Sequence, residues 1–553
     1  MVLAVGGHPG TSRRSQKRNQ DPPEEHTPML RNPRLINTLV AALALALLPS
    51  VVTAQGAGQV DPGKISEEDL KKLRQLELKS GVRSKAAETP EVQAIKGPPL
   101  EDREKVIHVL NRMSFGPRPG EVDKVIAEGG WEKWVEQQLN PESIQDAALE
   151  DELGTKFKWL KMSLPELRKA YPIGENEYNA PELRKGLRNA VLYRAVASNR
   201  QFQEVMAEFW RNHFFVNQPV RDAPTRSWTA IDYEQNVLRK HAFGKFKNML
   251  YASATHPAML EYLDNYQSKA NAWNENYARE VMELHTLGEG RGYGEQDVLE
   301  LSKVLTGWTY DRDLKFVFRA DWHQGGTKKV LGRTMPNGKE GGEQALYMLA
   351  NHSNTATFIS EKLCRYLVND NPPPALVRKV ATVFKDSGGD LPKVYKAILT
   401  SPEFMERSNY RAKFKTPFEF TVSAIRATNA QVEDGTATCE VIAKMGQPIY
   451  DCEDPTGFYD QAEAWMDAGV LTSRWDYSWK LVRGSIPGVT VPQEFLKKYE
   501  SLATNEVRDR MAKDIVGADI GDRTAQAMTQ ALNEESRPRM LSILLGSPDF
   551  QQQ

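Results

Sequence analysis

Gln201-FQEVMAEFWRNHF-Phe215 decides the fold class, because at 100° per residue Phe202, Met206, Phe209 and His213 fall along one line of a helix. Their spacing predicts an amphipathic helix with its apolar face inward. The same 3.6-residue period recurs from Asp102 onward, at Val106–Met113, Glu121–Glu128, Trp131–Leu139, Pro181–Ser198, Tyr233–Arg239, Lys245–Ala254, Asn274–Leu287 and Glu295–Leu305. It resumes at Ala345–Leu349, Thr355–Val368, Ala375–Phe384, Lys393–Leu399 and Pro417–Thr428. The pattern predicts a mainly α protein, a large multi-helix body. One exception stands out: Lys315–His323 and Thr327–Met335 alternate in polarity and are joined through Gln324-Gly325-Gly326, which predicts one small β-hairpin near 315–335.

The chain is long enough, at 553 residues, for several modules. Its 72 basic against 73 acidic residues give no polybasic field, so nucleic acid is not an expected partner. Cys364, Cys439 and Cys452 are too few for a disulfide framework and lack the spacing of a zinc site. Cys364 lies in an apolar helical run and reads as a buried thiol, whereas Cys439 and Cys452 could close a short loop in an oxidising compartment.

At the start, Arg31 and Arg34 precede the apolar run Leu35-INTLVAALALAL-Leu48, then Pro49 and Val52-Thr-Ala54. Positive, apolar and small-residue segments in that order form an export leader, residues 1–54, cut after Ala54. Met29 sits where such a leader would begin. The dense apolar run is short for a membrane span, so no stable transmembrane domain is expected in the mature chain; a retained leader would tether the protein to the membrane. Either way the expectation is an exported protein, periplasmic or extracellular. Removing the leader takes away six basic and three acidic residues, leaving a charge of about −4. Residues 55–100 are polar and poor in aromatics and read as a tether, 101–430 as the helical core with its hairpin, and 431–553 as a C-terminal helical part packed on that core.

Nucleotide-loop, zinc-protease, nucleophile-elbow and calcium-loop signatures are all missing. Gly288-EGRGY-Gly294 follows a helix and reads as its cap and loop. The seven histidines after the leader lie between His108 and His352, which points to a site before residue 353. His256 and His352 each precede a helix and read as caps. His213 sits on an apolar face, where a buried imidazole must find a hydrogen-bond partner or a metal.

Asn274-ENYAREVMELHTL-Gly288 is the most polar of the helical patterns. Asn276, Arg279, Glu280 and Glu283 form one stripe, opposite Tyr277, Ala278, Val281, Leu284 and His285. Two carboxylates at i, i+3 suit shared proton or divalent-metal chemistry, with Arg279 controlling the charge of Glu283 from i, i+4. A solvated Glu/Arg face over an apolar face explains the same spacing. His285 points away from the acids, which counts against a single-helix metal motif.

Several motifs in one order carry a resemblance. Asn111-RMSFGPRPGEV, Glu208-FWRNHF, Asp232-YE, Pro257-AMLEYLDNYQS, the Asn274–Gly288 segment, Asp297-V-x-EL, Leu305-TGWT, His323-Q-G-G-T-K-x-x-LG, Tyr410-RAKFKTPFEF, Met445-GQP and Asp454-PTG together resemble the bacterial proteins classed as domain of unknown function 1800. The likeness runs from about residue 105 onward. It implies an exported, mainly helical protein of no settled activity, often encoded beside a second exported family resembling alkaline phosphatases and sulfatases. Polar motif positions that match are His213, Asn276, Arg279, Glu280, Glu283, His285, His323 and Lys328. Many relatives have His-Asp where this chain has His323-Gln324, and Asp321, one strand position off in parity, should not replace that carboxylate.

These residues support two readings. In the first, the chain is an extracytoplasmic enzyme or metal-dependent protein acting on an envelope or extracellular polymer. Glu280 and Glu283 are then the acid/base or ligand pair, Arg279 and Asn276 their neighbours, and His213, His285 or His323 complete a site lying between the Gln201–Phe215 and Asn274–Leu287 helices and covered by the hairpin. In the second, it is a non-catalytic scaffold for a co-exported protein partner, and the polar stripe is a packing network. Intact mass of protein secreted by an expressing host tests the leader directly: the mature chain should begin at Gln55, and a product retaining residues 29–54 would refute the cut.

Overall fold

Apolar stripes at helical period become helices when each can bury its stripe against another. The computed structural model describes residues 98–172, 181–217, 226–452, 454–534 and 536–553. The segments expected to be leader and tether lie outside the described residues up to residue 97. The described residues belong to one unit, and a single apolar core runs through it from Val106 to Phe550. Residues 98–100 lie on that body, with Arg407 donating to the carbonyls of Pro98 and Pro99 at 3.1 Å each.

The helices that carry the polar and charged groups of interest, or pack against them, begin with α1 (Asp102–Met113), α2 (Glu121–Ala127), α3 (Pro181–Ala197), α4 (Gln201–His213) and α5 (Arg226–Tyr233). Later in the chain come α6 (Asn276–Glu283), α7 (Glu295–Val304), α8 (Lys339–Ala350), α9 (Ser353–Leu367), α10 (Pro417–Ala427) and α11 (Ala468–Val482). Local chemistry starts several of them. Thr416 and Glu419 form a capping box before α10, each side chain accepting the other's backbone N–H. His256 and His352 cap as their positions suggested, each Nδ1 accepting an N–H two residues on at 3.1 Å. The three cysteines form no disulfide. Cys364 is fully buried, and that burial pushes its thiol up to about 12.

The α6 segment ends earlier than its sequence pattern. Helical bonding stops at Glu283, where the His285 N–H reaches back to Glu280 O at 3.0 Å, an i→i−5 contact, and Gly288, at φ +89, closes the turn onto Met282 O. A second widened turn, Glu234–Arg239, continues α5 as a π-helix.

The single hairpin expected at 315–335 is two hairpins. β1 (Trp308–Tyr310) pairs antiparallel with β2 (Phe316–Phe318), and β3 (Lys328–Val330) with β4 (Arg333–Met335). The turns decide it. Leu331 and Gly332 both have positive φ, the two-residue reversal that matches strand twist. Asp311 accepts the N–H groups of Asp313 and Lys315 and closes the other turn. The Gln324-Gly325-Gly326 segment joins the two hairpins, and Asp321 lies in a 3₁₀ turn, not a strand. A third pair, β5 (Gln431–Val432) with β6 (Val489–Thr490), lies in the last part of the chain.

The hairpins are held by a close approach: a Cβ on Gly342 in α8 would lie 2.2 Å from the buried Trp308 ring. Gly342→Ala gains about 1 kcal/mol in helix propensity but forces overlap that costs roughly 1–3 kcal/mol. Urea denaturation should show net destabilisation; a more stable variant would mean the ring has room to move.

Candidate functional site

The site begins with what the polar residues of α4 must do once its other face is buried. Glu204 takes two hydrogen bonds from Arg239, at 2.6 and 2.7 Å. Arg211 gives two to Glu234, both 2.9 Å, and pairs with Glu208 as well. The π turn brings Glu234 and Arg239 onto α4 one turn apart. Burial opposes ionisation of Glu234 most strongly, but Arg211, Arg239 and Tyr450 together outweigh it and hold the carboxyl below its usual range. Glu208 goes the other way: burial raises its pKa despite Arg211. Tyr450 donates to Glu234 from the last third of the chain, and a cavity of about 20 Å³, room for about one water, lies among Glu208, Arg211, Asn212, Tyr450 and Phe458.

Asn212 fastens the Asp454-PTG loop to α4. Its amide donates to Phe458 O at 2.8 Å and accepts the Phe458 N–H at 2.7 Å. Gly457, at φ +75, passes so close that a Cβ would stand 2.5 Å from Asn212 Oδ1. Asp454 Oδ1 accepts the N–H and the hydroxyl of Thr456, fixing the turn.

That loop brings Asp454 toward α6. Glu280 is half-buried, and among the described residues its carboxyl has no hydrogen bond and no ion pair. Burial first, then Glu283 and Asp454, raise its pKa to about 7. Arg279 does not offset this, because it turns outward to Glu295, with bonds of 2.9 and 2.7 Å, and meets Glu283 only at 3.4 Å. Asn276 is exposed at the start of the helix, its N–H held by Asn274 Oδ1 at 2.8 Å. The stripe read from sequence is therefore divided: Glu280 is the member near Asp454, Glu283 stays with Arg279, and Arg279 and Asn276 reach toward solvent.

The histidines serve elsewhere. His213 and His285 are both buried, with ring centroids 6.0 Å apart and His213 Nε2 against His285 O at 3.2 Å. Phe209, Trp210, Phe214, Phe246 and Phe358 surround His213. Burial, with Lys362 adding to it, lowers both imidazoles, His213 far below its usual range and His285 to about 3, so both are neutral. Lys362, on α9, is itself lowered by burial and is opposed by Asp460.

His323 is a joint between the hairpins. Its Nδ1 meets Thr306 O at 3.0 Å, and its Nε2 accepts the Gly338 N–H at 3.0 Å. Lys328 donates to Gln324 O, Gly326 O and Asn337 Oδ1 at 2.6, 3.2 and 2.7 Å, which uses all three of its protons. The second hairpin packs on α7 through β3, and in the segment joining the hairpins Trp322 O and Gln324 Oε1 accept the N–H groups of Ala270 and Asn271, before α6.

Among the described residues no three of His, Cys, Asp and Glu are grouped to hold a metal ion. What converges is a proton-binding carboxyl, Glu280, with Glu283 and Asp454 around it. Sequence reading missed Asp454, Asp460, Glu208 and Lys362, and its limit of residue 353 excluded all of these but Glu208. Asp454-PTG was visible as a motif, but nothing local ties it to a helix nearly two hundred residues earlier. Beside it opens a cleft of about 650 Å³ lined by Asp454, Thr456, Phe458, Trp465 and the exposed Tyr459.

A family model described as protein of unknown function (DUF1800) matches residues 108–552, and the chain belongs to that family. No curated protein and no solved structure matches.

Glu280 holds its proton more tightly in the folded protein than in the unfolded chain, so stability falls as pH rises from 4.5 to about 7. Glu280→Gln removes that cost. After allowance for solvent screening at a half-exposed group, the variant should exceed wild type by about 1 kcal/mol at about pH 8 and match it near pH 4 in urea denaturation. A variant no more stable at the higher pH would mean that the carboxyl is not held protonated.

Proposed function

We propose that this member of the family is an extracytoplasmic acid–base enzyme in which Glu280 donates and recovers a proton during cleavage of an envelope or extracellular polymer. One observation carries the reading: Glu280 is half-buried, faces Glu283 and Asp454, and has no cation bonded to it among the described residues. A carboxyl that stays protonated near neutral pH can act as a general acid, and the pattern of two neighbouring carboxyls in different surroundings is the one that separates acid from base. Glu280 gives its proton to the leaving oxygen as the C–O bond breaks, water adds to the cleaved carbon and gives up a proton that restores Glu280, Asp454 at the cleft orients the bond to be cut, and Glu283 is the neighbour that keeps the Glu280 proton in place. The open cleft beside Asp454, with Tyr459 exposed at its edge, suits a chain-like substrate, and the leader suits that compartment.

The scaffold reading has an observation of its own. His323, Lys328 and Arg279 spend their polar atoms on this chain's own structure, and His213 spends its Nε2 there, as in a packing network. Under that reading the chain assists a co-exported protein partner, and none of its carboxyls performs chemistry.

Purified protein, incubated with cell-wall and extracellular polysaccharide fractions, should release new reducing ends. Glu280→Gln should lower the rate about 100-fold or more while leaving circular dichroism unchanged, and Asp454→Asn should lower it as well. Equal rates for wild type and Glu280→Gln, or no release from any fraction together with a stoichiometric partner recovered from the exported fraction, would replace the enzyme reading with the scaffold.

A further inference from the structure

The motif Phe115-Gly-Pro-Arg-Pro-Gly-Glu121 takes no part in the Glu280 region, yet it builds one wall of a cleft. Arg118 and Arg426 come together there from segments far apart in the chain. Arg118 donates to Val196 O at 2.6 Å and to Asn429 Oδ1 at 2.9 Å. Arg426, on α10, is 1% exposed and donates to Gly116 O at 2.8 Å and to the same Val196 O at 3.0 Å. One carboxylate serves both: Glu121 Oε2 accepts from Arg426 at 3.3 Å and from the Arg118 backbone N–H at 2.7 Å.

Glu121 bonds only the Arg426 guanidinium and acts on that of Arg118 through charge alone, so two guanidiniums have one carboxylate between them along an open space of about 660 Å³. Burial lowers the pKa of Arg426 to about 10 despite Glu121, with Arg118 lowering it further, and burial lowers Arg118 too. Asp146, behind the cleft, is engaged by the Ser198 hydroxyl and the Asn199 N–H and does not supply the missing charge. At the rim Lys124 and Glu128 face each other at 3.9 Å and cancel. A buried cation in excess is costly unless an anion joins it. The remaining lining is uncharged and polar: Gln137, Ser143 and Gln145 are exposed there, and the side chains of Gln137 and Gln145 have no protein partner among the described residues. Amides and hydroxyls on the rim match hydroxyls on a ligand.

We propose that this cleft binds a carboxylate carried on a hydroxyl-rich body, the chemistry of an acidic sugar, with Arg118 holding the carboxylate, the buried Arg426 adding positive charge behind it, and the Gln137–Gln145 rim holding the hydroxyls. The site is separate from Glu280 and stands or falls independently of the acid–base reading.

Calorimetric titration of the whole protein with glucuronate, glucose and acetate at equal ionic strength tests it. Glucuronate should bind about tenfold more tightly than either of the others, a difference of about 1.4 kcal/mol, because glucose lacks the charge and acetate the hydroxyls. Arg118→Gln should weaken glucuronate about tenfold. Glu121→Gln removes the competing carboxylate but keeps an acceptor for the Arg118 N–H, so it should tighten glucuronate severalfold, a gain that a damaged fold cannot produce. No heat with glucuronate, equal affinity for glucose or acetate, or no gain in Glu121→Gln would overturn the proposal. Oligogalacturonate binding more tightly than galacturonate would assign the cleft to a polymer, and equal affinity to a free sugar acid.

Discussion

Arg211 and Glu234 form two parallel hydrogen bonds inside the protein, with side chains only 7% and 3% exposed. Neither charge could be buried alone, because an unpaired buried ion costs several kcal/mol. The pair thus sets what surrounds it: α4 must present Arg211 inward, and the π turn must widen by one residue to bring Glu234 to meet it. Tyr450 then closes on Glu234 and carries the last third of the chain onto α4. Next to Arg211 on α4, Asn212 binds the backbone of Phe458 through both ends of its amide. By these steps a buried ion pair fixes the loop that holds Asp454 near Glu280.

The same packing separates groups that look alike in sequence. His213 and His285 are neutral because they are enclosed by aromatic rings and face Lys362. His323 is engaged at both ring nitrogens by backbone groups. Glu280 lies at the edge of the body, desolvated enough to keep a proton near neutrality and still partly open to water. Arg279, one residue before it, reaches the solvent side and Glu295. A difference of one residue on a helix therefore separates a titrating carboxyl from a surface ion pair.

Much of this was legible from residue spacing. The stripe in Gln201–Phe215 gave the helix and its buried face, and the position of His213 on that face correctly required a hydrogen-bond partner. Gly288 marked the end of α6, though its last turn unwinds early because the His285 N–H bonds to Glu280 O. The hairpin was read from real alternation but paired with the wrong neighbour: Gln324-Gly325-Gly326 has a turn's composition, while the Leu331-Gly332 reversal and the Asp311 turn close the ladders. Of the candidate residues, Glu280 and Glu283 meet other acids, Arg279 and Asn276 face water, and His323 and Lys328 bind backbone.

The sequence by itself determined the helical class, the bounds of many helices before residue 430, the capping histidines and family membership, because period, caps and motif order are properties of short neighbouring segments. Tertiary structure alone decided which charges share a space. Asp454 approaches Glu280, Arg426 approaches Arg118 and Glu234 approaches Arg211 across gaps in the chain that no local pattern spans. A carboxyl's proton affinity depends on burial and on charges within a few ångströms, and those distances exist only once the helices have packed.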